Sequence, residues 1–238
     1  MSLIFKQLFE RESCTYTYLI ADSETKEAAI VDAVDIMIDR DTALLKELDL
    51  DLKFIIETHI HADHITSACP LKKYYPKARI VIGMENVDAE ACSDIMVSEG
   101  HILNIGQYQI TTIETPGHTV GCMSYLVENK LLTGDALFIR STGRCDFQGG
   151  SAESLYESIQ KLFKLPDTTE VYPAHDYNGL SVSTIGEEKK FNSMIRESFD
   201  QETFIENVNS LDLGLPKKIK VAVPANQSCG LISENASV

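Results

Sequence analysis

Three of the chain's six histidines crowd into one segment, Thr58-His59-Ile60-His61-Ala62-Asp63-His64. It follows Phe54-Ile55-Ile56, a short apolar run that reads as a strand buried on both faces, and precedes a helical pattern. A sheet must therefore run into a polar loop and the loop into a helix, which is where a rigid scaffold carries functional groups. His59 and His61, two apart on extended chain, point the same way. Asp63 and His64 turn back as the helix begins, so the array can converge on one point. Asp63 taken alone also fits a helix cap. Imidazoles grouped with a carboxylate are ligands suited to Zn, Fe, Mn or Cu.

Three later segments repeat the pattern of a strand end followed by small or polar residues: Thr115-Pro116-Gly117-His118, Thr133-Gly134-Asp135 and Tyr172-Pro173-Ala174-His175. Gly117 lets the backbone turn close to a ligand. Each segment is weak alone, and His101, outside any such context, reads as structural. The order H-x-H-x-D-H, then His, Asp, His, is a strong metal-site pattern.

Strand-like segments and helices interleave along the whole chain. Thr15 to Ile20, Ala28 to Val31, Arg79 to Ile82, Ile110 to Ile113, Met123 to Val127, Leu131 to Thr133 and Glu170 to Tyr172 read as β. Asp39 to Leu48, Thr66 to Tyr75, Glu153 to Phe163, Ile185 to Phe199 and Glu202 to Leu211 read as helical. This predicts one layered α/β domain over residues 1–238, with a frayed tail from about 229.

The 238 residues bury a sizeable core without disulfides. The six cysteines are irregularly spaced and none pair as C-x-x-C, so all are expected to be reduced, with Cys122 and Cys145 the two beside the motifs. The start of the chain lacks the character of a secretory signal or transit peptide, and no run reaches the apolar length of a membrane span; a cytoplasmic protein is expected. The formal charge of −15 argues against a nucleic-acid partner.

The four segments together resemble the metallo-β-lactamase superfamily across nearly the whole chain. That resemblance implies an αββα sandwich, two mixed β-sheets flanked by helices, with metals at one edge. Within it, Gly143-Arg144-Cys145-Asp146-Phe147-Gln148-Gly149-Gly150 is similar to the G-R-x-D-F-Q-x-G signature of the persulfide dioxygenases, the ethylmalonic encephalopathy protein family. The segments 173–179, Val182-Ser183-Thr184 and Val223-Pro224-Ala225-Asn226 also look like that family. So does the short stretch after His175, where glyoxalase II enzymes carry a longer helical extension.

The family resemblance implies a mononuclear Fe(II) held by His59, His118 and Asp135. His61, Asp63, His64 and His175 match the second metal site of the hydrolases and act around the iron in the dioxygenases. The implied reaction oxidises the sulfane sulfur of glutathione persulfide, or another small thiol persulfide, with O2 to sulfite and thiol. The alternative is a Zn-dependent thioester hydrolase of the glyoxalase II type. A homodimer and a separate sulfurtransferase chain are the implied partners. Arg140, Arg144, Tyr177 and Arg196 are the substrate-binding candidates. Arg140 and Arg144 equally suit structural ion pairs, for instance Arg144 with Asp146, and the alternative for Tyr177 is core packing with a satisfied hydroxyl. One departure stands out: the family's Asn-Pro-Arg is here Asn192-Ser193-Met194. Either Arg196 takes the role of that Arg, or the thiol is another one, such as coenzyme A.

Overall fold

The structure, a computed structural model, describes residues 2–232. The first half builds one sheet: β1 (Leu3–Glu10), β2 (Thr15–Asp22), β3 (Glu27–Val31), α1 (Ile38–Glu47), β4 (Asp51–Ile56), α2 (Ala68–Tyr74), β5 (Arg79–Gly83) and β6 (Ile95–Val97). Its strands lie in sequence order, with β1, β2 and β3 antiparallel and β3 to β6 parallel. The second half builds another: β7 (Ile102–Ile105), β8 (Tyr108–Glu114), β9 (Met123–Val127), β10 (Lys130–Gly134), α3 (Ala152–Leu162), β11 (Glu170–Pro173), β12 (Ser183–Thr184), α4 (Ile185–Phe191), α5 (Gln201–Asn209) and α6 (Ile219–Asn226). In this sheet only β10 and β11 are parallel.

The period-2 alternation of the strands makes the layers. Tyr16, Tyr18 and Ile20 of β2 face the second sheet and pack with Phe54, Ile56, Tyr125 and Leu132. Their neighbours Leu19 and Ala21 face outward, where Leu45 of α1 and Leu71 of α2 cover them. On the far side, Leu155, Ile159 and Leu162 of α3 form one helical stripe and pack on Leu131, Val171 and Phe204. Helix, sheet, sheet, helix is the αββα sandwich expected. Among the described residues no helix is long and apolar enough to cross a membrane.

Three expectations need correction. The helix over Ile185 to Phe199 stops at Phe191. Asn192 is extended there, with φ −64 and ψ 124; its side chain donates to Ser141 O and Glu188 and accepts from Met194 N and Ile195 N, replacing the helical bonds. The cysteines are not all reduced: Cys92 and Cys229 form a disulfide across 137 residues, with Cα atoms 5.9 Å apart. Cys229 is consequently buried, so the frayed tail does not begin there; of that tail, residues 233–238 lie outside the described residues. The four remaining cysteines are free thiols, and burial pushes Cys122 and Cys145 up to about 12, which leaves them unreactive.

Candidate metal centre

The site lies where strands of both sheets end together. β3 and β4 are parallel, as are β10 and β11, so their carboxyl ends share one edge. Asp32 follows β3, residues 57–64 follow β4, His118 follows β8, Asp135 follows β10 and His175 follows β11. Direct bonds hold the two sheets together at this edge. Tyr16 N donates to Ala174 O at 2.7 Å and Met123 N to Thr58 O at 2.8 Å.

His59, His118 and Asp135 converge, with ligand atoms all within 4.8 Å of one another. Asp135 Oδ2 lies 3.4 Å from His118 Nε2 and 4.0 Å from His59 Nε2. The other ring nitrogen of each histidine is committed. His118 Nδ1 donates to Arg144 O at 2.6 Å. Thr58 gives its hydroxyl proton to Asp32 Oδ2 at 2.9 Å, and its oxygen accepts from His59 Nδ1 at 2.9 Å. Both imidazoles therefore carry their proton on Nδ1 and turn a bare Nε2 toward Asp135, the tautomer a metal ligand needs.

His61, Asp63, His64 and His175 form a neighbouring group. His61 Nε2 donates to Asp32 Oδ1 at 3.2 Å and His64 Nδ1 to Asp63 Oδ2 at 3.1 Å. The remaining nitrogens, His61 Nδ1 and His64 Nε2, are buried without a hydrogen-bond partner, as is Asp135 Oδ1. Buried polar atoms are ordinarily paired. Two imidazole nitrogens and a carboxylate oxygen with no protein partner, in two convergent His and Asp groups, fit metal ions. Asp135 also reaches toward the neighbouring group: its Oδ1 lies 3.6 Å from His175 Nε2.

Burial, and next the neighbouring imidazoles, hold His59 and His61 well below the usual histidine range. His175 is raised: burial opposes this, but Asp135 and Asp63 outweigh it. Asp63 is lowered despite burial, chiefly by His175 and His64. His59 and His61 are thus held neutral and Asp63 ionised, forms that a divalent cation takes up readily.

The centre opens into a cavity of about 760 Å³, within the range of small-molecule sites. Phe138, Phe147 and Tyr177 form part of its wall; the Tyr177 ring stacks on His175 at 6.1 Å. Arg144 lines the cavity but is paired with Asp146 and bonded to Leu213 O and Gly214 O, so its ion-pair reading holds as well. Arg140 and Arg196 are not brought to the cavity wall. Arg140 is drawn away by Glu187 and Glu188, and Arg196 lies over Phe199 at 4.5 Å. The cations that do reach the wall, besides Arg144, are Lys217 and Lys218; the adjacent dibasic pair was the sequence signal for them. Asp32 and Thr58 also escaped the sequence reading. Asp32 stands at the end of an apolar run, as Asp135 does, and that shared context was the available cue.

This fold and this edge-mounted array of histidines and aspartates define the metallo-beta-lactamase superfamily, whose sequence profile matches residues 15–96 and 97–175. Over 232 residues the chain is 42% identical to the mitochondrial persulfide dioxygenase ETHE1 of Mus musculus, covering 96% of this chain and 89% of that one. Against the Homo sapiens protein of the same name the identity is 40% over 237 residues, covering 98% and 91%. The crystal structure of ETHE1 from Myxococcus xanthus superposes with a TM-score of 0.91 at 44% identity, covering 96% of this chain and all (100%) of that chain. The chain belongs to the persulfide dioxygenase family of that superfamily, a family of metal-dependent enzymes.

Proposed function

We propose that the protein is an Fe(II) persulfide dioxygenase, with His59, His118 and Asp135 as the iron ligands. The observation that carries this reading is the pair of Nδ1-protonated imidazoles turned on one carboxylate at the floor of an open cavity. Two histidines and one carboxylate leave coordination positions free, and bound Fe(II) supplies there the redox chemistry that O2 requires. The overall reaction takes R-S-SH, O2 and water to R-SH and sulfite; the terminal sulfur is oxidised and O2 is reduced.

The chain's own residues supply the rest. The Thr58–Asp32 relay and the Arg144 carbonyl hold the two imidazoles in orientation. His175, held toward its protonated form by Asp135 and Asp63, stands at the cavity with a proton to give to a departing thiolate. Phe138 and Phe147 line that end of the cavity, and Tyr177 with Lys217 receives the body of the thiol, where a cation matches a substrate's carboxylate; Arg144 and Lys218 stand on the same wall paired with Asp146 and Glu12.

One observation favours a second reading. The partnerless His61 Nδ1 and His64 Nε2 suit a second ion, the arrangement of a two-zinc thioester hydrolase. The deciding experiment is oxygen uptake by anaerobically purified, iron-loaded protein on adding glutathione persulfide, with elemental analysis of the same sample. About one iron per chain, with O2 consumed and sulfite formed, is expected. Two zincs per chain and no O2 uptake would transfer the assignment to the hydrolase.

A further inference from the structure

The motif Val223-Pro224-Ala225-Asn226 has no part in the chemistry above, yet it reaches the metal loop. The buried Asn226 side chain donates from Nδ2 to His61 O and to His64 O, both at 2.8 Å, and its Oδ1 accepts from Thr66 N at 2.9 Å. One side chain thereby ties three backbone points of the histidine segment. The chain that follows stays docked on the same stretch: Cys69 N donates to Cys229 O at 2.9 Å. Gly230, at φ +88, lies so close that a Cβ there would fall 2.0 Å from Thr66 O.

Helix α6 is poorly equipped to hold this position alone. It has eight residues with Pro224 inside and no side-chain cap, and an internal proline removes a helical bond. What fastens it is the bond from Cys229 to Cys92, which lies in the loop between β5 and β6.

We propose that residues 226–230 form a redox-controlled clamp on the histidine loop, closed by the Cys92–Cys229 disulfide and loosened when low-molecular-weight thiols reduce it. Cys92 is only partly buried whereas Cys229 is buried, so the incoming thiolate attacks the Cys92 sulfur. A mixed disulfide forms at Cys92 and Cys229 leaves as the thiolate, taking a proton. A second small thiolate then attacks the sulfur of the first, and Cys92 leaves as its thiolate and takes a proton, giving two protein thiols and one R-S-S-R. The protein disulfide is reduced and two small thiols are oxidised. Asn226 is a positioning residue in this scheme, acting on His61 and His64 through their backbone. The proposal rests on reading residues 59–64 as metal-binding, and is independent of which metal is bound or which reaction it serves.

The test starts from metal-loaded protein purified without reductant. Alkylation under denaturing conditions should label the four free cysteines and spare Cys92 and Cys229. Transfer of metal to a chromogenic chelator should then run about tenfold faster after mild reduction, and equally fast in Cys92→Ser, the scale at which residues supporting ligands affect metal affinity. Asn226→Ala should release metal at the fast rate while still oxidised, and reduction should add nothing further. Amide exchange at Thr66 in metal-free protein gives a readout that needs no metal, and it should accelerate on reduction of the wild type, so a Cys92→Ser variant that failed to fold would not weaken the test. Labelling of all six cysteines in unreduced protein, equal metal-release rates before and after reduction, or a slow-releasing Asn226→Ala each overturns the clamp. A chain that retains no metal in either state, with Thr66 exchange still redox-dependent, would leave the clamp standing and remove the metal reading.

Discussion

Thr58 decides which nitrogen His59 offers, although it touches no substrate. Its hydroxyl stands between His59 Nδ1 and Asp32 Oδ2, and replacing it by an apolar group frees the imidazole to change tautomer and rotate. Thr58→Val should weaken metal binding about 10- to 100-fold in a chelator competition, while Thr58→Ser should stay near wild type. His118→Ala, by contrast, removes a proposed ligand, and elemental analysis should find the metal gone; full iron content in that variant would refute the assignment. His61→Ala should keep its iron, because His61 lies in the neighbouring group; loss of all metal would count against a single-ion site. The convergence of the histidines with Asp135 was legible because rare residue types recur there in short strand-end motifs. Thr58 and Asp32 were not, since a supporting hydroxyl and a strand-end aspartate look like any others until a sequence separation of 26 residues is folded away.

At the scale of elements, the loop from Asp135 to Gly150 fits the site through close contact. A Cβ on Gly143 would fall 2.2 Å from Asp135 O and 3.1 Å from His118 Nδ1, so only glycine lets the loop lie across both proposed ligands. Gly143→Ala should cost about 1–3 kcal/mol of stability and most of the bound metal together, measured by urea unfolding and by metal content. Elements were read well from sequence where hydrophobic period dominated, as in β2, β4 and α3. They were misread where side-chain bonding overruled it. The stretch after Phe191 keeps a helical pattern, yet Asn192 bonds backbone groups of the Phe138–Ser141 turn and ends the helix. Arg140 was drawn into the substrate list by its nearness to Asp135 in sequence, but Glu187 and Glu188 arrive from α4 to neutralise it. Charge partners that come from distant elements are invisible to spacing.

Across the whole molecule, two long-range couplings set stability. Burial, followed by neighbouring imidazoles, depresses His59 and His61, so the unfolded chain takes up protons that the fold refuses. Their contribution to the stability of metal-free protein should therefore be constant above about pH 6.5 and fall below it, by up to about 1.4 kcal/mol per pH unit for each group. The raised His175 acts with the opposite sign: its contribution is lost as pH rises through the raised value and is fully present, and so constant, below its unfolded one, which leaves the loss from His59 and His61 unopposed below about pH 6.5. Urea unfolding at about pH 6 and about pH 5, both below the unfolded histidine value, checks the sign; equal stability at both would contradict it. The disulfide closes a span of 137 residues, and Cys92→Ser should lower unfolding stability by about 2–4 kcal/mol. That link could not be read from sequence, because its two cysteines belong to no spaced motif and only the path of α6 brings them together.

Asp135 turns one oxygen toward His118 and the other toward His175, and from this follows a point about descent. A frame whose His and Asp groups fit one ion and also two could pass between oxidation and hydrolysis with those side chains unchanged. The evolutionary step between the two chemistries then falls on the lining of the cavity and on the hydrogen bonds behind each donor. Divergence among such enzymes should be greatest in the wall residues and least in the donors themselves.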